Sequence, residues 1–401
     1  MVIGIGSGLG AMCLVLLLHE IQHVAYGYSL HTIISQETFL QGVEASSSLR
    51  RVLILTLCGV IAGVGWWAVY RFGKPLVSIL EAVRSNHPNM PLGSTFIHIL
   101  LQIVTIALGS PLGREVAPRE LSALFAGWVC NKIGLSLRDT QIMIACAAGA
   151  GLGAVYNVPL GGAMYTLEVL LCTLSGRTLI LAMLTSAIAV AVSWIGLGHG
   201  LQYHIRPYEV NDSLRIWAIF AGPIIGFYAF GFIHVANKAH GKIQNGWQRP
   251  VLSLINFIII GVLAIYFPSL LGNGKSPAQL EFFETVGFHL TVILLILRTL
   301  VVWSSLRVGA KGGMLTPSLA LGALLGVFLG KCWNLLEPNT LLGAYAIVGA
   351  AAFLAAAQKM PITAIILLFE LTGIHMDLMI PILFAVTGAV IVFQRCAQKA
   401  S

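Results

Sequence analysis

The amino-acid sequence predicts an all-α, polytopic membrane protein, built as a bundle of many tilted and broken helices. Of its 401 residues, 57% are hydrophobic and only 9% are charged, and the mean hydropathy is +0.89. A soluble domain carries about 25% charged residues, so this chain has too little polar surface to cover a water-soluble globule. Its 43 glycines and 15 prolines fall inside apolar stretches as well as between them. Bare backbone at membrane depth must be covered by protein or water, so interrupted helices favour a transporter or channel core over a simple receptor bundle.

The apolar segments give the candidate membrane helices in chain order. They are residues 1–26, 51–70, 95–112, 140–174, 178–200, 215–236, 251–271, 287–308, 317–335, 341–357, 361–373 and 378–394. Crossing the hydrocarbon core takes about 20 helical residues. Several segments are shorter than this or are broken by glycine and proline. We therefore expect some helices to end inside the bilayer of the cell (inner) membrane, with lipid around the bundle.

The charges of the chain argue against a nucleic-acid partner. The 15 acidic and 23 basic residues leave a formal charge of +8, but no basic patch lies on an otherwise polar face. The first ten residues lack the basic region of a cleaved signal peptide, so the first apolar segment is expected to be a mature span. No residue pattern points to a cofactor.

The chain repeats itself with an offset close to 200 residues. The sequence Gly113-Arg114-Glu115-Val116-Ala117-Pro118 aligns with Gly312-Gly313-Met314-Leu315-Thr316-Pro317. About forty residues after each closing proline, Tyr156-Asn157-Val158-Pro159 aligns with Gln358-Lys359-Met360-Pro361. Two matched motifs in the same order indicate a duplicated unit.

Two further features keep the same spacing. Nine residues beyond the proline of the second motif stands a glutamate in an apolar segment, Glu168 in one half and Glu370 in the other. Upstream, Gly73-Lys74-Pro75 precedes the first motif by about the distance at which Gly274-Lys275-Ser276-Pro277 precedes its counterpart. Matched features in one order and spacing are hard to attribute to chance.

We therefore divide the chain into two half-repeats, residues 1–200 and 201–401, which together form one transmembrane transport domain. No cytoplasmic regulatory domain is expected. Duplicated halves with paired broken segments point to a binding site near the bilayer midplane, between the repeats. An odd number of spans in each half would make the two repeats inverted relative to each other.

The two glycine-rich turns have the form of anion sites. Gly113-Arg114-Glu115 and Gly312-Gly313-Met314-Leu315 each precede a proline suited to the first turn of a helix. The start of a helix presents unpaired N–H groups and the positive end of the helix dipole. Such partial charges suit an anion that must bind and still leave. A simple break in a helix is the alternative for each turn taken alone, and the repeat argues against it.

These residues resemble the CLC family of chloride channels and anion/proton exchangers. The resemblance runs from about Gly4 to Gln394 and is most specific at 113–118, 156–162 and 312–322. It implies a CLC-type inverted-repeat fold, a homodimer with one pore in each subunit, and transport of a halide anion and a proton rather than enzymatic activity. The anion-binding residues that it implies are Gly113, Arg114, Val116, Gly313, Met314 and Leu315, with the amides of Met314 and Leu315 at the central site.

Glu115 is the candidate gating and proton-coupling residue. A carboxylate among anion-binding amides can occupy the site as an internal anion and leave it once protonated. The resemblance assigns this role to Glu115, and an ionisable residue inside the membrane is a functional candidate in its own right. The alternative is a glutamate paired with Arg114 or Arg119 at a helix end. Glu168 and Glu370 are expected to be structural acids that are satisfied by hydrogen bonds.

Several departures from the family pattern bear on which anion is carried. Chloride-selective members place a serine in a Gly-Ser-Gly-Ile-Pro turn, where this chain has Gly73-Lys74-Pro75-Leu76-Val77. Lys74 is therefore a candidate for attracting anions, with a snorkelling loop lysine as the alternative. Val116-Ala117 and the missing serine resemble the fluoride-exporting branch, so fluoride is favoured over chloride, although that branch often has an apolar residue at Lys74. The family's anion-touching tyrosine, which follows the final helix, is not found before Ser401.

A passive chloride channel on the same fold, voltage-independent or voltage-gated, is the main alternative function. Many exchangers carry an inner proton-transfer glutamate at the position of Val169. Its absence favours the channel, whereas the intact Glu115 favours exchange.

An intramembrane zinc metalloprotease is a remote alternative. His19-Glu20-Ile21-Gln22-His23 fits H-E-x-x-H, which places both imidazoles on one helix face with Glu20 as general base. Zinc needs a third protein ligand, and none of the three aspartates lies in an Asn-Pro-Asp-Gly-like turn: Asp139, Asp212 and Asp377. The protease also leaves the repeat unexplained, so no metal is expected.

Overall fold

The computed structural model describes residues 1–30, 37–86, 88–208, 210–240, 246–338 and 340–400. In the first half the helices are α1 (Val2–Tyr26), α2 (Phe39–Ala45), α3 (Ser48–Phe72), α4 (Ile79–Arg84), α5 (Leu92–Ala107), α6 (Val116–Ile133), α7 (Leu137–Tyr156), α8 (Pro159–Tyr165) and α9 (Gly176–Leu197). In the second half they are α10 (Asp212–His240), α11 (Gln248–Tyr266), α12 (Lys275–Phe282), α13 (Phe288–Arg307), α14 (Leu315–Trp333), α15 (Leu342–Gln358), α16 (Pro361–Thr372) and α17 (Met379–Ala400). These ranges contain no β-strand, so the all-α prediction is confirmed.

The lengths of the helices confirm a multi-pass membrane protein with interrupted spans. Within the described ranges, eight helical segments are long and apolar enough to cross a membrane, and they include α1, α3, α9, α10, α11, α13, α14 and α17. The apolar helices α5, α15 and α16 have only 16, 17 and 12 residues. A full crossing needs about 20, so these helices begin or end inside the bundle.

The apolar segment 140–174 is interrupted, as its glycines and its proline predict. The structure divides it into α7, α8 and a π-helical turn, Thr166–Leu171. Asn157 ends α7 in the left-handed conformation, with φ of 59°. Pro159 then opens α8, because proline lacks the N–H needed to continue a helix but suits a first turn.

Apart from α2, the described helices of the two halves follow the same order, and the halves share unusual backbone conformations at matched positions. The break after α5 contains Gly109 with φ of 107°, and the break after α13 contains Gly309 with φ of 86°. The left-handed residue that ends α7 is Asn157, and the one that ends α15 is Lys359, with φ of 54°. Each of these residues is followed two positions later by the proline that opens the next helix.

Three helices, α7, α14 and α15, are buried along most of their length and form much of the core, and α14 and α15 pack against each other. α15 is buried from Gly343 to Ala357, and α14 from Leu315 to Val327. The two helices meet at glycines: a Cβ atom added to Gly322 would lie 2.5 Å from the carbonyl oxygen of Gly349. Small residues of this kind let helix backbones touch inside a membrane. This packing fixes the start of α14, which carries half of the candidate site.

Candidate functional site

The two glycine-rich turns meet at the centre of the molecule. The N–H of Gly113 donates to the carbonyl of Gly313, and the N–H of Gly313 donates to the carbonyl of Gly113, both at 2.7 Å. α6 begins at Val116 directly after the first turn, and α14 begins at Leu315 directly after the second. Two helix starts from opposite halves therefore lie side by side.

This reciprocal bridge corrects one expectation about the anion-binding backbone. The sequence predicted that Gly113 and Gly313 would bind an anion, which requires their N–H groups to be unpaired. Each N–H is instead hydrogen bonded to the opposite turn, so neither points into a site. The glycines join the two turns, and the donors next to them, at the first residues of each helix, are the groups left for an anion.

The Glu115 carboxylate bridges the two halves. Its side chain is fully buried, and its Oε1 accepts a hydrogen bond of 2.7 Å from the backbone N–H of Leu315. Leu315 is the first residue of α14, so this N–H has no partner within the helix and lies at the positive end of the helix dipole. The carboxyl group of Glu115 therefore occupies the second helix start, where the sequence predicts an anion. Neither Arg114 nor Arg119 forms an ion pair with Glu115 in the described ranges.

Two hydroxyl groups complete the surroundings of Glu115, and sequence reasoning missed both. The Tyr156 hydroxyl donates to Oε2 of Glu115 at 3.0 Å and lies 2.7 Å from the Thr316 hydroxyl. Tyr156 is the last residue of α7, and Thr316 is the second residue of α14. Both lie inside the repeated motifs, which was the available signal. Only the tertiary structure brings the Tyr156 hydroxyl to Glu115 and the Thr316 hydroxyl to Tyr156.

Arg114 separates the buried carboxylate from a cavity of about 840 Å³. Its guanidinium donates to Oε1 of Gln202 at 3.3 Å and lies 3.5 Å from Nε2 of His19. It also lies over the Tyr156 ring, 5.4 Å from the centroid. Apolar, polar, acidic and basic side chains line the cavity, and Lys275 and Glu44 are among them. This vestibule, defined by Arg114, His19, Gln202 and Lys275, gives a charged approach to Glu115.

The Lys275 ammonium loses its proton more readily than a lysine in water. Lys275 opens α12, outside the candidate spans, and its side chain keeps access to solvent in the vestibule. The protein around it removes much of its hydration, which lowers the pKa of Lys275 to about 8, and the charge of Arg114 acts in the same direction. The positive charge of the vestibule therefore decreases at mildly alkaline pH.

Glu168 and Glu370 each cap a helix of the opposite half. Glu168 accepts hydrogen bonds from the N–H groups of Ile362 (3.0 Å) and Thr363 (2.7 Å) at the start of α16, and from the Thr363 hydroxyl at 2.6 Å. Glu370 accepts from the N–H groups of Leu160 (2.9 Å) and Gly161 (2.6 Å) at the start of α8. Both carboxylates thus satisfy helix starts.

The remaining candidate residues lie outside this buried cluster. Lys74 is exposed in the loop between α3 and α4, whereas Glu115 is fully buried. Val169 lies in the π-helical turn, directly after the capping Glu168. Met314 is the N-cap residue of α14, and its side chain makes no capping hydrogen bond.

The H-E-x-x-H segment gains no support as a zinc site. His19 faces Arg114, and the His23 ring packs against Tyr28 with the centroids 4.6 Å apart. Two of the aspartates bind arginines: Asp139 pairs with Arg177, and Asp212 with Arg215. Across the described part of the chain, no group of three or more histidine, cysteine, aspartate or glutamate side chains could hold a metal ion.

Comparison with known proteins gives a consistent family match. The model of the family described as "Voltage gated chloride channel" matches residues 58–394. The chain is 26% identical to the voltage-gated ClC-type chloride channel ClcB of Salmonella typhimurium over 359 residues, covering 84% of this chain and 82% of that protein. It is 28% identical to ClcB of Escherichia coli K12 over 356 residues, covering 82% of each chain.

Solved structures have the same fold. A slow cyanobacterial Cl⁻/H⁺ antiporter superposes with a TM-score of 0.84 at 19% identity, covering 99% of this chain and 94% of that one. A CLC-type fluoride/proton antiporter gives 0.77 at 17% identity, covering 98% and 95%. At these identities the likeness concerns the fold, which agrees with the predicted CLC-type bundle.

Proposed function

Because the chain belongs to the voltage-gated chloride channel (CLC) family, we propose that it carries small halide anions across the membrane in exchange for protons, with Glu115 as the coupling acid. The observation that carries this proposal is the hydrogen bond from the Leu315 N–H to the buried Glu115 carboxylate. A backbone amide at a helix start that binds a carboxylate offers the same partial positive charge to a halide.

The exchange follows from competition for one place. The ionised carboxylate fills the start of α14 and excludes a halide. Protonation removes its charge, and charge-assisted hydrogen bonds are about twice as strong as neutral ones, so the neutral side chain is held less firmly. The halide then takes its place, and release of the proton restores the carboxylate. Each anion that passes therefore requires a proton to move on or off Glu115.

Fluoride is the halide that we propose, ahead of chloride. Lys74 stands where chloride-selective members have a serine, and Val116-Ala117 resembles the fluoride-exporting branch. Fluoride is smaller than chloride and accepts stronger hydrogen bonds, so each N–H or O–H donor of the site contributes more to fluoride binding and offsets more of its larger dehydration cost.

The test is a flux assay in liposomes that follows fluoride, chloride and internal pH together. We expect an applied halide gradient to drive protons in the opposite direction through the parent protein. The Glu115→Gln variant should pass halide without proton movement. Glu337→Gln, an exposed glutamate after α14, is the matched control and should behave as the parent. Halide flux in the parent with no change of pH would refute exchange, and chloride flux far above fluoride flux would refute the fluoride assignment.

A passive chloride channel is the second candidate function. The ClcB relatives are named as chloride channels, and Val169 lacks the acid found at this position in many exchangers. In this case the parent and Glu115→Gln proteins would both pass chloride without proton movement, so the same assay distinguishes the two functions.

We further propose a homodimer in the cell (inner) membrane with one pore in each subunit, and transport rather than catalysis. α8 and α16, of 7 and 12 residues, begin inside the bundle and lie next to each other, with Leu160 and Ile362 exposed. Helices that stop at membrane depth need protein around their ends. A second copy packed on α8, α9, α16 and α17 supplies it. The membrane assignment follows the bacterial origin of the ClcB relatives.

A further inference from the structure

We propose that the Tyr156 hydroxyl holds the ionised Glu115 in place and becomes a ligand of the transported halide when that side chain leaves, with Thr316 orienting the hydroxyl. This inference rests on the proposed halide transport, and it names a donor that the repeat and its glycine turns do not reveal.

The direction of the hydrogen bonds is fixed by counting protons. A tyrosine hydroxyl has one proton, and an ionised carboxylate can only accept. The Tyr156 proton therefore points at Oε2 of Glu115, at 3.0 Å. The 2.7 Å contact between Tyr156 and Thr316 must then use the Thr316 proton, donated to the Tyr156 oxygen. The order is Thr316 to Tyr156 to Glu115, and each donor polarises the next.

Because the cluster is buried, water does not replace Glu115 as the acceptor for Tyr156 and Leu315 when its side chain moves. Tyr156 is 5% exposed, Thr316 2% and Glu115 0%, so bulk water does not reach the cluster. Once the carboxylate leaves, the Tyr156 O–H and the Leu315 N–H face the place that its oxygens occupied. A buried donor without a partner is costly, so both groups favour the arrival of a new acceptor. A halide is the acceptor that the proposed exchange supplies.

The Tyr156 ring is held so that its hydroxyl cannot turn away. Arg114 lies over one face of the ring, 5.4 Å from the centroid. The residue ends α7 and is followed by the left-handed Asn157. Thr316 fixes the hydroxyl itself. Because the donor is preorganised, a halide that binds does not have to order it.

An O–H donor also affects which halide is preferred. Fluoride accepts stronger and shorter hydrogen bonds than chloride, so removal of one O–H donor weakens fluoride binding more. Tyr156 therefore adds to fluoride selectivity through its hydroxyl, independently of Lys74, which lies in an exposed loop.

The test measures halide binding to the full-length chain in detergent by calorimetry, with sodium fluoride and sodium chloride. All variants carry Glu115→Ala, which removes the competing carboxylate. We expect added Tyr156→Phe to weaken fluoride binding by about tenfold or more, and chloride binding by less. Tyr345→Phe is the control, because Tyr345 is fully buried and its hydroxyl bonds Asn334 at 2.8 Å. It should leave both affinities unchanged.

Thr316→Val tests the order of the donors. Alone in the Glu115→Ala background, it should weaken fluoride binding severalfold, because Tyr156 keeps its proton but loses its orienting partner. Added to Tyr156→Phe it should have no further effect. An additional loss would show that Thr316 contacts the halide itself and would overturn the assigned order. If the Tyr156→Phe chain does not fold, the Thr316→Val result alone decides, and unchanged affinity overturns the proposal.

The outcomes separate this inference from the transport function. If Glu115→Ala binds fluoride and Tyr156→Phe leaves that affinity intact, the role of Tyr156 is refuted while halide transport stands. If Glu115→Ala binds neither halide, the proposed anion site is refuted, and the inference is refuted with it.

Discussion

At the scale of single residues, the molecule depends on how a few acidic side chains are hydrogen bonded. Glu115 is fully buried and has two donors, the Leu315 N–H and the Tyr156 O–H. Glu168 has three donors, two of them backbone groups of α16. The two acids thus differ in their surroundings. Glu168 accepts hydrogen bonds from the start of α16, whereas Glu115 directly follows Arg114, which lines the vestibule.

The vestibule lysine gives a pH dependence that can be separated from proton exchange. The pKa of Lys275 is about 8. At a lower pH its ammonium is charged and attracts anions, and as the pH rises through that value the charge is lost. In the Glu115→Gln background, we expect halide uptake to fall about threefold between pH 7 and pH 9. Lys275→Gln should give a low and flat profile over the same range.

Lys399→Gln, near the end of α17, is the control for this measurement and should keep the slope of the parent. A profile in Lys275→Gln as steep as that of the parent would show that another group titrates in the vestibule.

At the scale of helices, the two halves hold each other by exchanging caps. Glu168 on the first half binds the start of α16, and Glu370 on the second half binds the start of α8. The same reciprocity appears at the bridge between Gly113 and Gly313. The helix starts of one half therefore depend on residues of the other.

These caps should contribute measurably to stability. Glu168→Ala leaves two backbone N–H groups of α16 without their acceptor, so we expect a loss of about 2 kcal/mol and a lower midpoint of thermal unfolding in detergent. Glu370→Ala should cost a similar or smaller amount, since it has two donors rather than three. Glu337→Ala, which is exposed, should leave the midpoint unchanged.

Halide flux in the surviving folded protein distinguishes this structural role from a direct one. Glu168→Gln keeps an acceptor for α16 and should retain proton-coupled transport. Loss of proton movement in Glu168→Gln, with the unfolding midpoint unchanged, would instead place Glu168 on the proton path.

At the scale of the whole molecule, the face formed by α8, α9, α16 and α17 exposes apolar side chains, which argues for a second copy packed on it. α9 exposes Ile180 and Leu184, next to α8. We expect the protein in mild detergent to have twice the 42.9 kDa mass of one chain by light scattering. Tryptophan at both Ile180 and Leu184 should give a monomer, because the larger rings obstruct close packing of this face.

The monomer should still transport halide, since each subunit is proposed to have its own pore. Tryptophan at Ile216 and Ile224, exposed on α10, is the matched control and should leave the dimer intact. A parent protein of single-chain mass would contradict the proposed dimer, and a monomer without flux would contradict a separate pore in each subunit.

Much of the fold could be predicted from the sequence because hydropathy and repetition are local properties. Low charge, apolar segments and glycine or proline breaks determined that the chain is a bundle of interrupted membrane helices. The matched motifs also located both helix starts and Glu115. The motif at 156–162 marked a break within 140–174, but composition does not show that Asn157 adopts the left-handed conformation there.

Only the tertiary structure decided which donors meet Glu115. Its partners are Leu315, 200 positions away, and Tyr156, 41 positions away. It also showed that the N–H groups of Gly113 and Gly313 each donate to the carbonyl of the other residue, which neither turn alone could reveal. The physical reason is that hydropathy and helix breaks depend on neighbouring residues, whereas a buried hydrogen bond depends on the packing of segments far apart in the chain.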